Sequence, residues 1–272
     1  MMSFQAKPSA DGPIGIFDSG IGGLTVARAI LDALPNEEII YFGDTAHLPY
    51  GDKSGDAIRY YVAKISDFLY GRGCKALVIA CNTASSVLER ASLPPFHKDL
   101  IINVVDPVVQ WVAAQETIKS VGVIGTKRTI SSGIYARRLK TKLKDIQVKN
   151  LSTPLLAPMI EEGFFNNNIS KAIVASYLDK ITDIDALILG CTHYPLIKKE
   201  ISAYYQNQIP LIDAPALVST KLKDHLDALN LRRIGATPHH KFFVSDYTTG
   251  FEEAARLFFG ESVHLEEKNI WK

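Results

Sequence analysis

Cysteine is scarce in this chain of 272 residues: Cys74, Cys81 and Cys191 are the whole supply. Three thiols cannot all pair, which excludes a disulfide-stapled scaffold. An excess of one charge is lacking too. Thirty lysines and arginines stand against 29 aspartates and glutamates, for a formal net charge of +1. The basic surplus of a phosphate-tracking surface is absent, so nucleic acid is not an expected partner. No apolar run reaches the ~18 residues of a membrane span, so no membrane partner is expected either. Residues 1–13 hold one lysine and no apolar stretch of the signal-peptide kind. They read as a short disordered leader, and the cytoplasm is the expected location. Metal motifs are missing as well: there is no C-x₂-C, no H-E-x-x-H, and the Cys74–Cys81 spacing suits no zinc site.

What is there has the composition of an ordinary globular protein, long enough to bury a core without staples. Short runs rich in Ile, Val and Leu at 13–17, 39–42, 76–80, 100–105, 120–124, 186–189, 210–212 and 241–244 read as strands. They show little polar alternation, which suits parallel strands covered on both faces. Helical patterns lie between them, at 24–34, 54–70, 169–181 and 214–229. Within 54–70 the apolar Ile58, Tyr61, Val62, Ile65, Phe68 and Leu69 fall at offsets 0, 3, 4, 7, 10 and 11, one face of a helix. This alternation predicts an α/β fold with mostly parallel, helix-covered sheets.

Two segments resemble each other. Lys75-Ala-Leu-Val-Ile-Ala-Cys81-Asn82-Thr83 parallels Asp185-Ala-Leu-Ile-Leu-Gly-Cys191-Thr192-His193, with the cysteines 110 residues apart. Buried strands look alike, so the apolar part carries no weight. A cysteine at the same carboxyl end of both strands does, because ligands of open α/β sheets bind beyond the carboxyl ends. The expectation is one thiol per half of the molecule, facing across a cleft. Asn82, Thr83 and a helix start around Cys81, and Thr192, His193 and Pro195 around Cys191, predict thiols with lowered pKa values. Cys74 has no such setting and reads as a core thiol. His239-His240 reads as solvent-facing.

Phe17-Asp18-Ser19-Gly20-Ile21-Gly22-Gly23 joins the first strand to a helix. It is neither a dinucleotide fingerprint, since Thr25 stands where a third glycine is needed, nor a P-loop. Asp18 and Ser19 are either plain helix caps or contacts to a small anionic or zwitterionic ligand. Gly43-Asp44-Thr45-Ala46-His47-Leu48-Pro49-Tyr50-Gly51 follows the second strand and is turn chemistry or a substrate-shaping loop.

A single cysteine with a histidine would suit acyl transfer through a thioester. Two cysteines, one per half, suit removal of a proton from one face of a carbon and delivery to the other. Each thiol then regenerates the other's role in the reverse direction. Asp18 and His193 are placed to assist, one near each cysteine. A Cys81–Cys191 disulfide is the competing geometry.

Together these segments closely resemble the glutamate racemases of the aspartate/glutamate racemase family. The resemblance runs from about residue 14 to 220, with further matches at Gly125-Thr126, Thr129-Ile130, Ser132-Gly133-Ile134-Tyr135 and Pro158-Met159-Ile160-Glu161-Glu162-Gly163. It implies cofactor-independent interconversion of L- and D-glutamate, supplying D-glutamate for peptidoglycan, by two α/β domains related by a pseudo-twofold. Residues 1–105 with 214–272 would form the first domain, carrying Cys81, and 106–213 the second, carrying Cys191. The resemblance makes Cys81 the thiolate for D-glutamate and Cys191 that for L-glutamate, with Asp18, His193 and Glu161 assisting. It makes Asp18, Ser19, Tyr50, Gly51, Asn82, Thr83, Thr192 and His193 the substrate contacts. A homodimer is left open. The alternatives are an aspartate or hydantoin racemase of the same family, a cysteine acyl-transfer enzyme, and a two-lobed binding protein without catalysis.

Overall fold

The structure, a computed structural model, describes residues 8–88, 93–235, 237–261 and 263–272. Most of the expected leader, residues 1–7, lies outside them. Among the described residues ten strands form two sheets: β1 (Ile14–Asp18), β2 (Ile39–Gly43), β3 (Ala76–Ile79), β4 (Ile101–Asn103), β5 (Ser120–Gly125), β6 (Gln147–Ser152), β7 (Ala186–Gly190), β8 (Leu211–Ile212), β9 (Lys241–Val244) and β10 (Leu265–Glu267). One sheet has the order β10-β9-β2-β1-β3-β4, the other β6-β5-β7-β8. Every pairing is parallel. The α/β class follows directly from the sequence pattern: β1, β2, β3 and β7 are buried along their whole lengths, which is why they read as unbroken apolar runs.

Two strands escape the pattern. β6, Gln147-Val-Lys-Asn-Leu-Ser152, is an edge strand with no buried residue, and its polar side chains blur the apolar run. β10 is an edge strand of the larger sheet, with only Leu265 buried. The strand expected over 100–105 ends at Asn103, because the Asn103 side chain accepts the N–H groups of Val105 and Asp106, each at 2.9 Å. Those bonds start the helix Val105–Ala113.

Helices cover the sheets where the periodicity places them. Gly55–Gly71 begins at Ser54, whose hydroxyl accepts the Ala57 N–H at 3.2 Å, and turns Ile58, Val62, Ile65 and Leu69 inward. After β8 the chain returns to the larger sheet through the helix Ala214–Ala228, which packs on the helices Leu24–Ala33 and Val105–Ala113. It then adds β9 and β10 beside β2. This return places the carboxyl ends of β1, β2, β3 and β9 together on one sheet, with those of β5 and β7 on the other.

Candidate active site

Asp18 closes β1 and is fully buried. Its Oδ2 accepts the Gly23 N–H at 2.9 Å, tying the turn into the next helix. Its Oδ1 is buried with no hydrogen-bond partner among the described residues. One oxygen therefore holds the turn that leads into the helix Leu24–Ala33. The loop is held from below by the Tyr41 hydroxyl, which donates to the Gly20 carbonyl at 2.8 Å.

Cys81 stands just past β3 as the N-cap of the helix Asn82–Ser86, its sulfur accepting the Ala84 N–H at 3.4 Å. The thiol lies 3.6 Å from the Ser19 hydroxyl. The lowered pKa expected from a helix start is not what the structure gives. Burial, and after it the charge of Asp18, push the Cys81 thiol up to about 12. The bonds from Ala84 and Ser19 act the other way and are outweighed. Cys81 is thus held as a thiol.

Cys191 directly follows Gly190, the last residue of β7. Its sulfur is 3.4 Å from His193 Nδ1, and His193 Nε2 is 2.7 Å from Glu161 Oε1. Burial alone would pull the imidazole down, but the charge of Cys191 and its hydrogen bond, with the bond and charge of Glu161, raise His193 well above its ordinary value. A protonated imidazole can donate to the sulfur beside it. Glu161 is one-third exposed and helps to line a cavity of about 530 Å³, so the pair reaches from the buried sulfur toward solvent. Phe258, from the helix Thr249–Phe259, meets the imidazole edge-on at 5.0 Å between ring centres.

Side chains from segments that follow strands of the two sheets touch one another. The Tyr135 hydroxyl donates to Asn82 Oδ1 at 2.6 Å, while Asn82 Nδ2 is buried without a partner among the described residues. Thr83 Oγ1 lies 2.8 Å from Thr126 Oγ1 and 3.2 Å from Thr129 Oγ1. A Cβ on Gly51 would sit 3.1 Å from Thr126 Cβ, so glycine allows the 50–52 turn to close on the second sheet. Tyr50 is buried, its hydroxyl donating to Asp44 Oδ2 at 2.7 Å, and Ser245 Oγ donates to Asp44 Oδ1 at 2.7 Å. Thr192 is buried beside His193, and its carbonyl is 3.1 Å from Thr25 Oγ1.

The structure thus brings Asp18, Ser19 and Cys81 together, and separately Cys191, His193 and Glu161, with Asn82, Thr83 and Gly51 on contacts between sheets. Asp44, Thr126, Thr129 and Tyr135 take part in the same networks without having been singled out as site residues. The signal for Thr126 was position: it follows β5 as Cys81 follows β3 and Cys191 follows β7. Phe258 carried no signal, since a phenylalanine in an amphipathic helix reads as core.

Cys74 sits before β3, at the other end of the strand from Cys81, and burial pushes its thiol up to about 12. All three cysteines are free, which removes the disulfide alternative. His239 is exposed as expected, but His240 is half-buried, its Nδ1 accepting the Ile39 N–H at 3.4 Å. Among the described residues no three or more His, Cys, Asp or Glu side chains gather as metal ligands, and no helix is long and apolar enough to cross a membrane.

Comparison with known proteins identifies the family. The chain is 38% identical over 255 residues to the glutamate racemase of Geobacter metallireducens, covering 91% of this chain and 92% of that one. Its fold superposes on the crystal structure of the Francisella tularensis glutamate racemase in complex with D-glutamate with a TM-score of 0.89, at 37% identity, covering 96% and 99% of the two chains. A glutamate racemase isoform from Bacillus anthracis gives a TM-score of 0.89 at 31% identity, covering 94% and 97%. Residues 14–220 match the family described as Asp/Glu/Hydantoin racemase. The chain belongs to the Asp/Glu/Hydantoin racemase family.

Proposed function

We propose that the protein interconverts L- and D-glutamate, with Cys81 and Cys191 moving the α-proton on opposite faces of the substrate, and so supplies D-glutamate for peptidoglycan. The observation that carries this reading is a complementary pair of unpartnered buried atoms beside Cys81. Asp18 Oδ1 is an acceptor suited to an ammonium group, and Asn82 Nδ2 is a donor suited to a carboxylate. Those are the two groups every amino acid carries on its α-carbon.

In the L-to-D direction, the Cys191 thiolate takes the α-proton, and the electron pair left on Cα spreads into the α-carboxylate. Cys81 S–H then delivers its proton to the opposite face. The site closes with Cys191 as thiol and Cys81 as thiolate, the state from which D-glutamate reacts. The raised His193 and the protonated Cys81 match the form poised for L-glutamate. An α-proton is far less acidic than a thiol, so hydrogen bonds to the carboxylate and exclusion of water must stabilise the carbanion. The buried Asn82, Thr83 and Thr192 are suited to that task, and Ser19 and the Tyr50–Gly51 turn to the rest of the substrate. The two sheets act in this reading as two domains, 1–105 with 214–272 and 106–213, closing on glutamate in the cytoplasm. The identities to glutamate racemases support glutamate over aspartate or a hydantoin.

Purified protein in D₂O tests the assignment. It should place deuterium at Cα of L- and D-glutamate while inverting them. Labelling of aspartate alone, or binding of glutamate without exchange, would overturn it. A second reading has one observation in its favour: Cys191, His193 and Glu161 line up as in a cysteine acyl-transfer triad. That reading predicts that Cys81→Ser leaves activity intact, whereas racemisation requires both thiols.

A further inference from the structure

The imidazole of His193 is gripped on every side. Cys191 Sγ meets Nδ1, Glu161 meets Nε2, and Phe258 packs edge-on against the ring. The remaining wall comes from the other sheet's glycine loop. A Cβ on Gly22 would overlap His193 Cε1 and would lie 2.5 Å from Nδ1 and 2.8 Å from Thr192 Oγ1. No side chain fits there, so the Gly22 backbone lies directly against the edge of the ring that carries Nδ1. Three residues on, Thr25 Oγ1 lies 3.0 Å from the Gly22 carbonyl and 3.1 Å from the Thr192 carbonyl. Its single hydroxyl proton is shared between the two carbonyls and bridges the glycine loop to the segment that carries Cys191 and His193.

We infer that Gly22 and Thr25 are positioning residues for His193, setting the contact between its Nδ1 and the Cys191 sulfur. The loop that does this also carries Asp18 and Ser19 against Cys81, with only two residues between Ser19 and Gly22. One short segment thereby braces the surroundings of both thiols. A shift of the loop alters the acid–base geometry on the Cys191 side even though none of its residues contacts that sulfur in the hydrogen-bond network. The titratable groups facing the imidazole are Cys191 and Glu161. A displaced ring does not keep both contacts at their present lengths.

The kinetic part of the test rests on the glutamate reading; the titration part does not. Gly22→Ala pushes directly on the ring, Thr25→Val removes the bridge, and Thr25→Ser keeps the hydroxyl. In histidine-labelled protein, the His193 resonance is identified by its loss in His193→Gln and titrated by NMR. Gly22→Ala and Thr25→Val should each lower its midpoint, by about one pH unit for the alanine variant, and Thr25→Ser should restore it. Because the two enantiomers have equal free energy, kcat/KM must fall equally in both directions, by about tenfold. The primary isotope effects should not change equally. That of α-deuterated L-glutamate should rise relative to that of α-deuterated D-glutamate, since the step at Cys191 becomes the slower one. A purely structural loss of folded enzyme would leave both the titration and this ratio unchanged.

An unmoved His193 titration and an unmoved isotope-effect ratio would overturn the inference. If Gly22→Ala does not fold, the Thr25→Val and Thr25→Ser pair decides by the same readouts. If wild type fails to exchange the α-proton of glutamate, the proposed function falls, and the His193 titration still decides the positioning role.

Discussion

Cys81 and Cys191 occupy equivalent places, each just past the carboxyl end of a buried parallel strand, yet their surroundings differ. Cys81 has a fully buried carboxylate and a serine hydroxyl beside it, and its neighbour Asp18 opposes ionisation. Cys191 has an imidazole held protonated by its partners and linked through Glu161 toward solvent. The sheet repeat positions two sulfurs, while the loops give each a different proton economy. The asymmetry lies in the neighbours: a buried carboxylate and a hydroxyl on one side, an imidazole paired with a half-buried carboxylate on the other.

The comparison can be broken at several points. Replacing either cysteine by alanine should lower racemisation by about 10²–10⁴-fold, the range of a positioned acid or base. Circular dichroism of glutamate turnover reads this, and an unaffected Cys81→Ala enzyme would contradict the symmetry of the two thiols. Asp18→Asn keeps an acceptor for Gly23 but removes the charge. Activity should fall about a hundredfold, and the Cys81 thiol should ionise more readily, seen as faster alkylation of Cys81 with pH.

Glu161→Gln acts on the other side, with a loss of about tenfold and a lower His193 midpoint. Its stability effect has a definite sign. A histidine raised on folding contributes stability that is fully present below its unfolded value, about 6.5, and is lost as pH rises through the folded value. The unfolding free energy of Glu161→Gln should therefore lie furthest below wild type near about pH 6 and converge as pH rises. Tyr135→Phe strips Asn82 Oδ1 of its donor and should destabilise by about 1–3 kcal/mol in urea denaturation. The smallest effect falls on the third thiol: Cys74→Ala, at the far end of β3, should leave racemisation unchanged.

Much of this was legible in the sequence because buried parallel strands are continuous apolar runs with abrupt polar ends. Both cysteines, Asp18 and Thr83 sit at such ends, so strand prediction also located them. Residues that act across the molecule were harder. Asp44 meets Ser245 from a position 201 residues away, and Phe258 reaches His193 from the last helix. No local pattern encodes such pairs. β6 and β10 were missed because edge strands mix polar with apolar side chains. The Cys81 pKa was misjudged because a helix start is visible in sequence, whereas complete burial and a neighbouring carboxylate are properties of the folded site.

The most direct measurement of the central claim is the fate of the α-proton during the first few per cent of turnover of L-glutamate in D₂O. Two monoprotic thiols on opposite faces predict D-glutamate fully deuterated at Cα while the remaining L-glutamate keeps its hydrogen. Product that retains the substrate's own hydrogen, or deuterium entering L-glutamate as fast as D-glutamate forms, would contradict it.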